Sequence, residues 1–146
     1  MQKNILDRLL KRGLIRKRDL DIERIKSMIG FSEENVDFIK KLPVNQESSG
    51  VIFREMYESI RQLGDVKWWL VGYEPRTHEV CLDLLEELEI KNKIKLNSLD
   101  RFKKIRHDLN YRGNRISVEQ AKEILEFWED CASEIIKILK EEIDEK

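Results

Sequence analysis

Proline and glycine are scarce in this chain, at two and six in 146 residues. So little punctuation argues against a loop-rich architecture. With 39% charged and 40% hydrophobic residues, and Leu, Ile, Glu and Lys dominant, the composition points to an all-α protein. Cysteine is nearly absent too. Cys81 and Cys131 lie on apolar helical faces without CxxC spacing, so reduced, buried thiols are expected rather than a disulfide framework. Only two histidines occur, His78 and His107. His78 and Cys81 have i, i+3 spacing, but two ligands do not make a metal site and nothing else completes one, so neither metal nor cofactor is expected. No stretch approaches the roughly 18 apolar residues of a membrane span. The charged N-terminus lacks the apolar core of a secretory leader, and a cytoplasmic protein is expected.

Charge of one sign is lacking only in sum. The formal net charge is −1, yet residues 1–28 carry nine Lys/Arg against four Asp/Glu, and 101–115 carry six against one. Residues 119–146 reverse this, with ten acidic and four basic side chains. Two readings stay open: basic and acidic helices side by side in one bundle, or a basic face for a polyanion.

The length implies one compact domain. An antiparallel helical bundle of four to five core helices is expected, with additional short N-terminal helices. Residues 1–31 form the N-terminal extension and 32–146 the bundle. Asn4 to Lys11 is amphipathic through Ile5, Leu6, Leu9 and Leu10, and Gly13 should stop it. Asp19 to Ile29 is again helical by spacing. Gly30 is expected to break it, and Ser32 to cap a new helix to about Lys41, the two forming an αα-hairpin.

After the turn formers of Pro43 to Gly50, Ser48 or Ser49 should cap a long helix from Val51 to about Val71. Gly64 inside it costs about 1 kcal/mol relative to alanine, which suggests a close crossing there. Trp68 and Trp69 are adjacent and cannot share a narrow stripe, so one is expected in the core and the other exposed or at a contact. A turn at Gly72 to Arg76 and a cap at Thr77 should precede a helix from Glu79 to Glu89. Ser117 and Gln120 make a capping box for the last helix, with a stripe from Ala121 to Leu139.

Arg101 to Gly113 (RFKKIRHDLNYRG) concentrates the polar groups of motif grade. At roughly 100° per residue, Leu99, Phe102, Ile105 and Leu109 share one face of a helix. Arg106 sits at the margin of that face and Asn110 one turn on. A guanidinium beside a buried stripe must find an anion or a carbonyl, because an unpaired buried charge is costly. His107 falls almost opposite the stripe.

Arg106-His107-Asp108-Leu109-Asn110-Tyr111 resembles the R-(polar)-x-x-x-H signature of HEPN domains, small α-helical proteins of prokaryotic toxin–antitoxin, defence and RNA-processing systems. Gly72-Tyr73-Glu74-Pro75-Arg76-Thr77-His78-Glu79 resembles the Gly-Tyr…His turn between two earlier helices of that family. The likeness spans roughly Ser32 to Leu139. It departs at one position, since Tyr111 stands where the signature has histidine. A second register, Arg101 to His107, restores an Arg…His pair but sets the two about 120° apart on a regular helix.

The resemblance implies a homodimer that binds RNA or a nucleotide, and a metal-independent endoribonuclease if active. Arg106 would neutralise phosphate charge, with His107 or Tyr111 moving the proton. A phenol, titrating near about pH 10, is a weaker base than imidazole. Arg101, Lys103, Asn110, Arg112 and His78 are the candidate phosphate-binding groups, His78 facing the cleft beside the motif helix. The alternative from the same resemblance is a non-catalytic module paired with a nucleotidyltransferase or another protein.

Overall fold

The computed structural model describes residues 1–111 and 115–146; the side chains of Asn110 and Tyr111 lie outside that description. Among the described residues there are six α-helices and one two-stranded sheet. None of these helices is long and apolar enough to cross a membrane.

α1 (Lys3–Lys11) ends where expected: Gly13 takes φ +71°, a left-handed conformation that glycine adopts without steric cost. The chain then enters β1 (Ile15–Lys17), which pairs antiparallel with β2 (Tyr73–Pro75), Arg16 opposite Glu74. Neither strand is foreseen by an all-helical reading. Three-residue strands are too short to show a period of two, and their pairing crosses more than fifty residues of sequence.

The expected break at Gly30 does not occur. α2 runs unbroken over Ile22–Ile39, through position 31. Its N-cap is Asp21, whose carboxylate accepts from the Arg24 amide at 3.1 Å. Ser32 is fully buried and donates to Gln62 Oε1 at 2.8 Å instead of capping a helix. The buried positions Ile25, Ile29, Ser32, Val36 and Ile39 keep one continuous stripe, which outweighs the modest propensity cost of one glycine.

α3 (Ser49–Leu70) is the central helix. Its start is held by Asn45, whose side-chain oxygen accepts from the amides of Glu47 and Ser48. α2 lies antiparallel to α3, since Asn35 meets Glu55 and Ser59 while Ser32 meets Gln62. α6 (Val118–Asp144) packs on α3 and runs antiparallel to α2, reached through the ion pairs Lys40–Glu129 and Lys140–Glu33. Its capping box forms as the sequence predicts: Ser117 Oγ accepts from the Gln120 amide, and the Gln120 side chain accepts from the Ser117 amide.

Trp68 and Trp69 are both core, whereas the sequence expects one in the core and the other exposed or at a contact. Trp68 is completely buried and Trp69 nearly so. The Arg18 guanidinium lies 3.5 Å from the centre of the Trp69 ring and covers the face that neighbouring helices leave open.

The expected helix from Glu79 to Glu89 shrinks to one turn, α4 (Asp83–Glu86). Thr77 Oγ1 accepts from the Glu79 amide at 3.3 Å, but the chain then takes an irregular turn instead of a helix. The Val80 carbonyl accepts from Trp68 Nε1 at 2.9 Å, and the Cys81 carbonyl packs against Gly64 of α3. Val80, Cys81 and Leu82 are all buried in succession. A 3-10 turn over Lys93–Asn97 then leads into α5 (Ser98–Tyr111).

Candidate phosphate-binding cleft

α5 is fixed by its apolar face. Leu99 and Phe102 are buried, and the Phe102 ring stands edge-on between Phe53 of α3 and Phe127 of α6, at 5.9 and 5.6 Å between centroids. One turn on, this clamp leaves Arg106 half-buried at the margin of the core. Its Nε and Nη1 atoms are shielded from solvent and have no hydrogen-bond partner among the described residues. Buried guanidinium nitrogens without an acceptor are costly, which makes Arg106 the candidate anion-binding group of the site.

Arg106 opens onto a cleft of about 520 Å³. Asp100, Lys103, Lys104 and His107 of α5 line it together with Arg106. The opposite wall is Tyr57 and Glu58 of α3 and the turn residues His78 and Glu79. That turn is anchored at its start by the sheet, through Arg76 N donating to Leu14 O at 2.8 Å, and at its end by Gly64 and Trp68. Lys103 Nζ donates to the Glu79 carbonyl at 2.9 Å, tying α5 to the turn across the cleft.

His107, which the helical wheel sets away from the apolar stripe, lines the same cleft as Arg106. Asp100, Lys103, Lys104 and His107 follow i, i+3, i+4, i+7 and form a second, polar face beside that stripe. The turn at 78–79 lies against the second face, and this long-range placement cannot be read from α5 alone. The same polar spacing is the sequence signal for Asp100 and Lys104, which a reading centred on the arginine motif misses. No local signal marks Tyr57, Glu58 or Glu79.

His78 also lines the cleft. Arg101 does not line it. Its guanidinium turns to α6 and forms a two-point ion pair with Glu123, Nη1 to Oε2 at 2.7 Å. The side chains of Asn110 and Tyr111, and all of Arg112, lie outside the described residues, so the first register is visible only at its arginine.

Glu58 of the cleft wall belongs to a half-buried polar cluster. Glu58 Oε2 accepts from Arg61 Nη2 at 2.8 Å, and Arg61 Nη1 reaches Asp65 Oδ2 at 2.7 Å. Burial pushes the Asp65 carboxyl up to about 6 despite that ion pair. Burial also raises the Tyr57 phenol, the neighbouring Cys81 adding to it, and pushes the Cys81 thiol up to about 11. Both therefore stay protonated at neutral pH. The Cys81 thiol is directed at the His78 carbonyl, 3.2 Å away, and not at the His78 imidazole. Among the described residues no group of three or more His, Cys, Asp and Glu is placed to hold a metal.

At the other rim, Asp100 is neighbour to Glu86 of α4. Burial, then the hydrogen bond and charge of Asp100, push the Glu86 carboxyl up to about 7. Two carboxyl groups so placed do not readily ionise together.

The cleft can thus hold an anion on Arg106, with Lys103 and Lys104 nearby, and presents two imidazoles to it. No family model matches this chain, and neither a curated protein nor a solved structure matches it.

Proposed function

We propose that the cleft binds the phosphodiester of single-stranded RNA and cleaves it without a metal ion. The observation that supports this most is the half-buried Arg106. Its Nε and Nη1 lack an acceptor among the described residues, and it faces a cavity that also holds His78 and His107. A phosphate reaching this guanidinium from the cleft would form charge-assisted hydrogen bonds with it.

The chemistry needs one base and one acid. One imidazole takes the 2′-hydroxyl proton as the 2′-oxygen attacks phosphorus. The other imidazole gives its proton to the 5′-oxygen as the P–O5′ bond breaks. The products are a 2′,3′-cyclic phosphate and a free 5′-hydroxyl. Arg106 stabilises the charge that gathers on the non-bridging oxygens. Both histidines line one cleft, so this reading takes the acid and the base from a single chain.

A second reading rests on Glu58, Glu79 and Asp100, which lie in the same lining. Their charge opposes a polyanion and favours a non-catalytic module that binds a protein partner, as a nucleotidyltransferase-paired protein would. Purified protein incubated with total RNA in EDTA separates the two. The nuclease reading expects cleavage that ends in cyclic phosphates and is lost in Arg106→Ala and in His107→Ala. Intact RNA, with folded protein, contradicts it and leaves the binding module.

A further inference from the structure

On the far side of Glu58, α2 and α3 enclose a second groove of about 540 Å³. Phe31 lines it from α2, and Phe38 continues the same helical face two turns on, each 63% exposed. Between them stands Glu34, while Asn35 turns inward to Glu55 and Ser59. The α3 wall repeats the scheme. Val51, Glu55, Glu58 and Gln62 follow i, i+4, i+7, i+11, and Val51 is 46% exposed.

Apolar knobs therefore stand at Phe31, Phe38 and Val51, with the carboxylates Glu34, Glu55 and Glu58 set among them. Among the described residues no Lys or Arg lines the groove, although Arg61 reaches Glu58 from behind. Two phenylalanines this exposed on one helix face offer an apolar contact surface.

The charges decide what covers them. RNA is repelled by three carboxylates. An isologous pairing of two copies would set this acidic face against the same acidic face. We propose that this groove is the docking site for a basic amphipathic helix of a protein partner, its apolar side chains seated on Phe31 and Phe38 and its Lys or Arg side chains meeting Glu34 and Glu55. This is the helix-in-groove mode, with aromatic anchors supplying affinity and charge supplying selection. Because Glu58 lines both cavities, such a helix would lie beside the mouth of the cleft. The docking itself requires no chemistry from the cleft.

The test uses the full chain and a synthetic helical peptide of leucine and lysine, with leucines at i, i+3, i+4 and i+7, beside a twin carrying glutamate for lysine. Isothermal calorimetry and amide-shift mapping are expected to show saturable one-to-one binding of the lysine peptide at α2 and α3, and none of the twin. Phe31→Ser with Phe38→Ser, both surface changes that leave the helical spectrum intact, is expected to weaken it at least about tenfold. Glu34→Lys with Glu55→Lys is expected to shift preference to the glutamate peptide. Binding that does not saturate, or that both double variants retain, overturns the proposal. So does self-association abolished by the phenylalanine changes, which assigns the groove to a second copy, or RNA-induced shifts confined to Phe31 and Phe38.

Discussion

The Cys81 carbonyl oxygen occupies the space that a Cβ on Gly64 would take. α3 and the turn that carries His78 and Glu79 therefore touch backbone to backbone, and only glycine permits the approach. In an ordinary helix interior, glycine to alanine stabilises by about 1 kcal/mol. Here Gly64→Ala is expected to destabilise by roughly 2–3 kcal/mol, because the obstacle is main chain and cannot rotate away. Urea denaturation checks this, and a variant as stable as the wild type would show that the turn gives way freely.

The same turn hangs on Trp68, whose indole N–H donates to the Val80 carbonyl at 2.9 Å in the fully buried core. Trp68→Phe keeps an aromatic ring but leaves that carbonyl without its donor. A loss of about 1–3 kcal/mol is expected from thermal or chemical unfolding, with looser packing of the cleft's turn wall reported by faster amide exchange at Val80 to Leu82.

Glu86 gives the fold a pH dependence of definite sign. Its carboxyl titrates at about 7 in the folded protein, raised by burial and by Asp100, against about 4.3 in an unfolded chain. The folded state therefore holds the proton that the unfolded state releases. This contribution is complete below about pH 4 and is lost as pH rises through about 7. Glu86→Gln is expected to flatten the decline in urea midpoint between about pH 5 and about pH 8, by roughly 1 kcal/mol after allowance for solvent at this half-buried position. An unchanged slope would assign the pH dependence elsewhere, Asp65 first.

Arg106 is expected to separate stability from binding. Its orphaned guanidinium atoms weigh against the fold in the absence of an anion. Arg106→Leu keeps most of the side-chain volume and discards the charge. Its unfolding midpoint is expected to equal or exceed that of the wild type, by up to about 1 kcal/mol, whereas a marked loss of stability would mean that the arginine serves the fold.

Local pattern carries the helices and one half of the site. The stripe through Leu99 and Phe102 places Arg106 at a core margin, the spacing around Ser117 gives the capping box, and Gly64 is marked as a close approach by its propensity cost alone. The group that meets Gly64 is not legible, since it belongs to an irregular turn and not a helix. Gly30 reads as a break because propensity does not reveal that Ser32 finds Gln62 across the α2–α3 interface. The second half of the cleft, from Tyr57 to Glu79, comes from elements that meet α5 only in three dimensions. That Trp68 and Trp69 are both buried is not legible for the same reason, the cover of Trp69 being an arginine more than fifty residues away.

The most direct test of the central claim, that Arg106 holds a phosphate, is an anisotropy titration of labelled single-stranded RNA in EDTA against wild type and Arg106→Leu. The proposed cleft predicts saturable binding to the wild type and at least about tenfold weaker binding to the variant. Equal affinity for the two proteins, with both folded, would contradict it.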